Sequence, residues 1–117
     1  MTVRHLLAVV AVSDLDVARP WYSALVGRAP TNSPMATLVE WRVTDTGWLQ
    51  VFVDTERAGR SFVNLAVDDL GAHREALRGR GLEPGPVVAA DRGVELSSLT
   101  DPDGNVVTLI GHFRVEY

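Results

Sequence analysis

The chain has 117 residues, 46% of them hydrophobic, and eleven basic against fifteen acidic side chains leave a formal charge of -4. That is enough for one compact domain with a real core but hardly for two. The charges form no block of one sign, so neither a nucleic acid nor an anionic membrane surface is an expected partner. Cysteine is absent, which removes disulfides, a thiolate nucleophile and Cys-ligated zinc, so any metal would need His, Asp, Glu or Gln. The longest apolar stretch, Leu6 to Val12, follows Arg4 and His5 and is too short for a membrane span or the core of a signal peptide. The expected location is therefore cytoplasmic.

In chain order, Thr2 to Ser13 is rich in Val and Leu and reads as a buried strand. Ser13 with Asp16 three residues on resembles a capping box, and Leu15, Ala18, Tyr22 and Leu25 then carry a helical pattern to a stop at Gly27. Pro20 inside it lacks a backbone donor and predicts a kink or a fresh start. Ala29 to Pro34 reads as turns, while Ala36 to Thr44 and Trp48 to Asp54 read as a hairpin around Asp45-Thr46-Gly47. Thr55 to Arg60 is a short polar connection. Phe62 to Val67 then begins a second round: Asp68-Asp69 caps a helix through Leu77 to Gly81, Pro84 to Ala90 is a weak strand, and Val94 to Thr100 and Val106 to Ile110 flank the turn Asp101 to Asn105. A shift of 55 superimposes Ala11 on Ala66, Val12 on Val67, Asp14 on Asp69, Leu15 on Leu70 and Arg19 on Arg74. Two duplicated halves follow, approximately 1–57 and 58–117 of a single domain.

Three stretches carry a family resemblance: Val10 to Asp16 entering a helix that holds Trp21-Tyr22, Leu65 to Leu70 entering the second helix, and Asp101-Pro102-Asp103-Gly104-Asn105 before the last strand. In their order and spacing the chain resembles the vicinal-oxygen-chelate superfamily of glyoxalase, bleomycin-resistance and extradiol dioxygenase-like proteins. The resemblance covers nearly the whole chain. It implies an α+β fold of two tandem βαβββ modules, a cupped mixed eight-stranded sheet with helices on its convex side, and a two-fold partner that completes the pocket. It also implies four metal-ligand positions, which fall on Leu7, Phe62, Thr108 and Gln50, with Val51 the alternative to Gln50. Leu, Phe and a neutral Thr are not donors of adequate strength, so the usual metal site is expected to be missing. A displaced set of His5, Gln50 and His112 is the alternative, since His5 shares the face of Leu7 and His112 that of Thr108. His73, among charged neighbours on its helix, reads as solvated.

If Leu7 faces the cup, alternation places His5, Leu7, Val9 and Ala11 there and Leu6, Ala8, Val10 and Val12 under the helices. The same logic assigns Phe62, Asn64 and Ala66, then Trp48, Gln50 and Phe52, then Val106, Thr108 and Ile110 to the cup. Trp41 joins them if the hairpin loop has two residues. A wall of Trp48, Phe52 and Phe62, with hydrogen bonds from Asn64, Gln50 and Thr108, suits a hydrophobic or aromatic small molecule, and no cofactor is needed. No Ser-His-Asp set, paired catalytic carboxylates or phosphate loop emerges; Glu40 and Glu95 are left as lone bases if their strands present them inward. The expected function is sequestration of such a compound, an antibiotic for instance, by a homodimer without catalysis. A lyase or isomerase with a displaced metal or acid-base site is the alternative.

Overall fold

The computed structural model describes residues 1–116. The first half contains β1 (Leu6–Val12), α1 (Leu15–Val26), β2 (Asn32–Met35), β3 (Leu38–Arg42) and β4 (Gly47–Val53). The second contains β5 (Phe62–Val67), α2 (Leu70–Gly79), β6 (Val88–Ala89), β7 (Glu95–Thr100) and β8 (Val106–Gly111). Each half is a strand, a helix and three strands, in agreement with the duplicated α+β reading. The equivalent Asp14 and Asp69 start the two helices, accepting from the backbone N–H of Asp16 at 2.9 Å and of Ala72 at 3.0 Å. Asp14, not Ser13, is thus the first cap, because its extended backbone aims the carboxylate at the orphan amides of the first turn.

Other local expectations shift. α1 runs unbroken through Pro20. The N–H missing there would have met the carbonyl of Asp16, an exposed residue of the first turn that water can serve. The turn-like stretch around Pro34 is a strand, but an edge strand with irregular pairing, where a missing donor costs no ladder bond. β1 begins at Leu6, and only its second half is buried: Val10 and Val12 are fully covered by α1, whereas Leu6, expected under a helix, is 77% exposed.

The eight strands form two separate four-stranded sheets, ordered β1-β4-β3-β2 and β5-β8-β7-β6. In each, the first strand pairs in parallel with the last, and the last antiparallel with the third. One face of the first sheet, carrying Val10, Val12, Val39, Trp41, Leu49 and Val51, packs on Leu15, Ala18, Tyr22 and Leu25 of α1. The corresponding face of the second carries Val63, Leu99, Val107 and Leu109 beneath Leu70 and Leu77 of α2. Each large side chain buried this way contributes roughly 1.5–3 kcal/mol.

A polar joint ties the halves together at the turn before β8. The buried Asp101 carboxylate accepts from the Tyr22 hydroxyl at 2.7 Å, from the Asn105 amide nitrogen and side-chain Nδ2, each at 2.8 Å, and from the Asp103 N–H at 2.9 Å. Asn105 Nδ2 also donates to the Ala11 carbonyl, and its Oδ1 accepts from the Ser61 N–H, both at 2.8 Å. Ser13 donates to the Asp103 carboxylate through its N–H and its hydroxyl. At the far end, Arg80 Nε donates to the Ala24 carbonyl at 2.6 Å, which supplies a cation to the last turn of α1, a turn that has none of its own.

Burial, and secondarily the neighbouring Asp101 carboxylate, push the Tyr22 phenol far above its ordinary range. Because the folded-state value is the higher one, the protonated phenol's stabilisation is complete below the unfolded value of about 10 and is lost as pH rises above it. Tyr22→Phe is therefore expected to lower stability by about 2 kcal/mol at neutral pH through loss of a hydrogen bond to a carboxylate. It should also flatten the fall in stability above about pH 10. Urea denaturation of both proteins across that range checks this, and an unchanged alkaline slope would count against it.

Candidate functional site

The sheet faces that bear no helix are the candidate site. Register aligns Leu7 with Trp48, Val9 with Gln50 and Ala11 with Phe52, and continues across β3 to Arg42, Glu40 and Leu38. On the second sheet it aligns Phe62 with Val106, Asn64 with Thr108 and Ala66 with Ile110, continuing to Thr100, Ser98 and Leu96. Leu7, Val9, Trp48, Gln50 and Phe52 thus share one open face, and Phe62, Asn64, Thr108 and Ile110 share the other. The expected set is split between two half-walls. Leu7 is 42% and Phe62 80% exposed, so the two half-walls of one chain do not cover each other.

Trp41 is a correction. The Val43 N–H bonds to the Gly47 carbonyl at 2.9 Å beyond the paired Arg42 and Trp48, which leaves a loop of Thr44–Thr46, an odd number of residues instead of two. Arg42 therefore stands beside Trp48, and Trp41, opposite Leu49, turns under α1. There it is fully buried, donates from Nε1 to the Arg28 carbonyl at 2.9 Å and packs near the Tyr22 ring.

The four positions that the resemblance implied for metal ligands have definite surroundings. Leu7 and Phe62 offer only carbon. Thr108 Oγ1 shares a hydrogen bond of 2.8 Å with Ser98 Oγ, and Gln50 donates to Glu40 at 2.8 Å. Among the described residues, no three His, Cys, Asp or Glu side chains gather closely enough to hold an ion. This donor set does not fit a divalent metal, which needs several oxygen or imidazole ligands about one point. Members of the displaced set have different partners: His5 Nδ1 accepts from Trp48 Nε1 at 2.9 Å, Gln50 is held by Glu40, and His112 lies 3.4 Å from Glu95. His73, read as solvated, is paired with Asp68 at 3.0 Å, which holds that carboxyl below its ordinary range.

The two glutamates separate cleanly. Glu95 lies opposite Gly111 in the row of buried Ser97 and Leu99, which faces the helices. Glu40 sits on the open face, half-buried, accepting from Asn32 Nδ2 at 3.0 Å as well as from Gln50. The sequence contained the signal, two residues from Arg42 in an alternating run, but not the register that would orient it. A groove of about 920 Å³ was also not expected. It opens between β1 and β5, an edge strand of each sheet, near which the Ala11 N–H donates to Ser61 Oγ at 3.3 Å. Leu6, Ala8, Leu25, Val26, Leu65 and Leu77 line it.

A solved glyoxalase/bleomycin resistance protein from Catenulispora acidiphila DSM 44928 shares 32% identity with this chain, the match covering 92% of this chain and 96% of that one at a TM-score of 0.86. The chain belongs to the glyoxalase/bleomycin resistance protein family. Two further solved structures have the same fold. TnmS3, an antibiotic binding protein from Streptomyces sp. CB03234, is 24% identical over 95% of this chain and 98% of its own, with a TM-score of 0.74. A bleomycin-binding protein solved in complex with bleomycin is 19% identical over 93% and 98%, with a TM-score of 0.76. No family model and no curated protein sequence matches the chain. No helix of this family member, among the described residues, is long and apolar enough to cross a membrane.

Proposed function

We propose that this glyoxalase/bleomycin resistance family member is a metal-free binding protein that sequesters a hydrophobic or aromatic compound, an antibiotic in the resistance reading, and works as a homodimer. The observation that carries the reading is the pair of open sheet faces, on which Leu7 and Phe62 present carbon at two of the four expected ligand positions and Trp48, Phe52 and Phe62 provide ring surface. TnmS3, an antibiotic binding protein, and the bleomycin-binding protein support it by analogy of fold. Burying about 150–250 Å² of a planar guest contributes roughly 4–6 kcal/mol before losses of motional freedom.

The dimer is supported by the exposure left in one chain. Leu6, Phe62 and Val88 are 77%, 80% and 56% exposed, apolar side chains that a second copy would cover. With the two half-walls of one chain uncovered, a second copy can set its own half-wall opposite each, closing two cups by a two-fold axis.

Light scattering on the purified protein is expected to give twice the 12.7 kDa chain mass. Titration with 2-naphthalenemethanol is expected to change tryptophan fluorescence saturably. A monomer, or no response to any of a panel of planar compounds, would defeat the reading. Added Mn, Fe, Ni or Zn is expected to leave the melting temperature in place; a stoichiometric metal that raises it would restore the metal-enzyme reading.

A further inference from the structure

We propose that the guest carries a protonated nitrogen on its planar body and that Glu40 is its counter-charge. This assignment rests on the sequestration reading above and narrows its ligand class. The open face of the first sheet has a polar makeup that favours a cation. Along β3 and β4 that face carries Leu38 and Phe52, then Glu40 and Gln50, then Arg42 and Trp48, so the Glu40–Gln50 pair lies between the pairs that hold the two aromatic residues. Val9, across β4 from Glu40, adds apolar surface beside it.

The Glu40 carboxylate is set in place, not loose. Gln50 Nε2 donates to one oxygen at 2.8 Å and Asn32 Nδ2 to the other at 3.0 Å, so two amides from the neighbouring strands fix its plane. A carboxylate has about four acceptor positions and no donor, so two amides leave room for N–H groups from a guest. Among the described residues no cation stands within ion-pairing distance of it. Arg42, the nearest basic residue on the same face, is turned away. Its Nε donates to the Asp45 carbonyl at 2.9 Å, Nη2 donates to the same oxygen, and its guanidinium lies 5.9 Å from the centre of the Trp48 ring.

An anionic guest would therefore meet Glu40 before any free cation, and a neutral hydrocarbon would strip water from the carboxylate with nothing in return. A ring system bearing an ammonium stacks on Trp48 or Phe52 and puts its N–H donors on Glu40, with a cation–π contribution from the rings. The formal charge of -4 acts in the same direction at longer range.

Three probes with one ring system separate the possibilities: 2-naphthylmethylamine, 2-naphthalenemethanol and 2-naphthoate, titrated by calorimetry into the wild type and Glu40→Gln at neutral pH. The wild type is expected to bind the amine about tenfold more tightly than the alcohol, and the carboxylate most weakly. In Glu40→Gln, which retains a side chain that can hydrogen-bond Gln50 and Asn32, the amine-to-alcohol ratio should fall within about twofold. Raising sodium chloride from about 0.05 M to about 0.5 M should narrow the same ratio in the wild type, a readout that needs no variant. Equal binding of amine and alcohol by the wild type, or a preference that survives Glu40→Gln, overturns the assignment and leaves the aromatic-guest reading standing. Failure of all three probes to bind overturns both.

Discussion

Asn105→Ala is expected to lower the stability of the folded chain by about 3–4 kcal/mol, more than most single polar substitutions. The side chain serves three partners at once: the Ala11 carbonyl, the Ser61 N–H and the Asp101 carboxylate. Asn105 and its partner Asp101 are almost fully buried, so the truncated site would hold a backbone acceptor, a backbone donor and part of a carboxylate without replacements. Because Ala11 and Ser61 belong to different halves, the loss also loosens the joint between the sheets, and the proposed dimer should weaken with it. Chemical denaturation gives the first quantity and concentration-dependent light scattering the second. A loss below about 1 kcal/mol would mean that water repairs the site.

Trp41→Ala is expected to cost about 3–5 kcal/mol, because it opens a cavity against Tyr22 and α1 and orphans the Arg28 carbonyl. Trp48, only half-buried, should behave in the opposite way. Trp48→Ala should cost little stability but remove most of the fluorescence response to a planar guest, whereas the milder Trp41→Phe should retain that response. Thermal melts and the naphthyl titrations on the same proteins test the pair. A guest response that follows Trp41 instead of Trp48 would place the binding surface under the helices and defeat the site assignment.

The legible parts of this chain were those written in local pattern. The two helices stand 55 residues apart as the repeat implied, although the first is capped by Asp14 and not by the expected Ser13. Leu7 and Phe62, related by the same shift, both turn away from the helices, because period-two alternation in β1 and β5 is anchored by Val10, Val12 and Val63 on the buried side.

What could not be read was set by partners distant in the chain. The side taken by Trp41 depended on the number of residues in one hairpin loop, and a change of parity there turns every side chain of β3 over. The same parity turns Glu40 to the open face, while the separate register of β7 on β8 sets Glu95 on the helix side. The turn at Asp101 to Asn105 has an ordinary turn composition, yet its side chains reach Tyr22, Ala11 and Ser61, contacts that exist only when both halves are folded.

Sequence alone thus determined the duplicated modules and the places of their two helices, because capping and alternation act over a few residues. Tertiary structure alone decided the division into two sheets, the polar joint between them, the groove beside Leu6 and the orientation of Glu40. Those depend on register and on long-range hydrogen bonds, whose geometry no short window of residues contains.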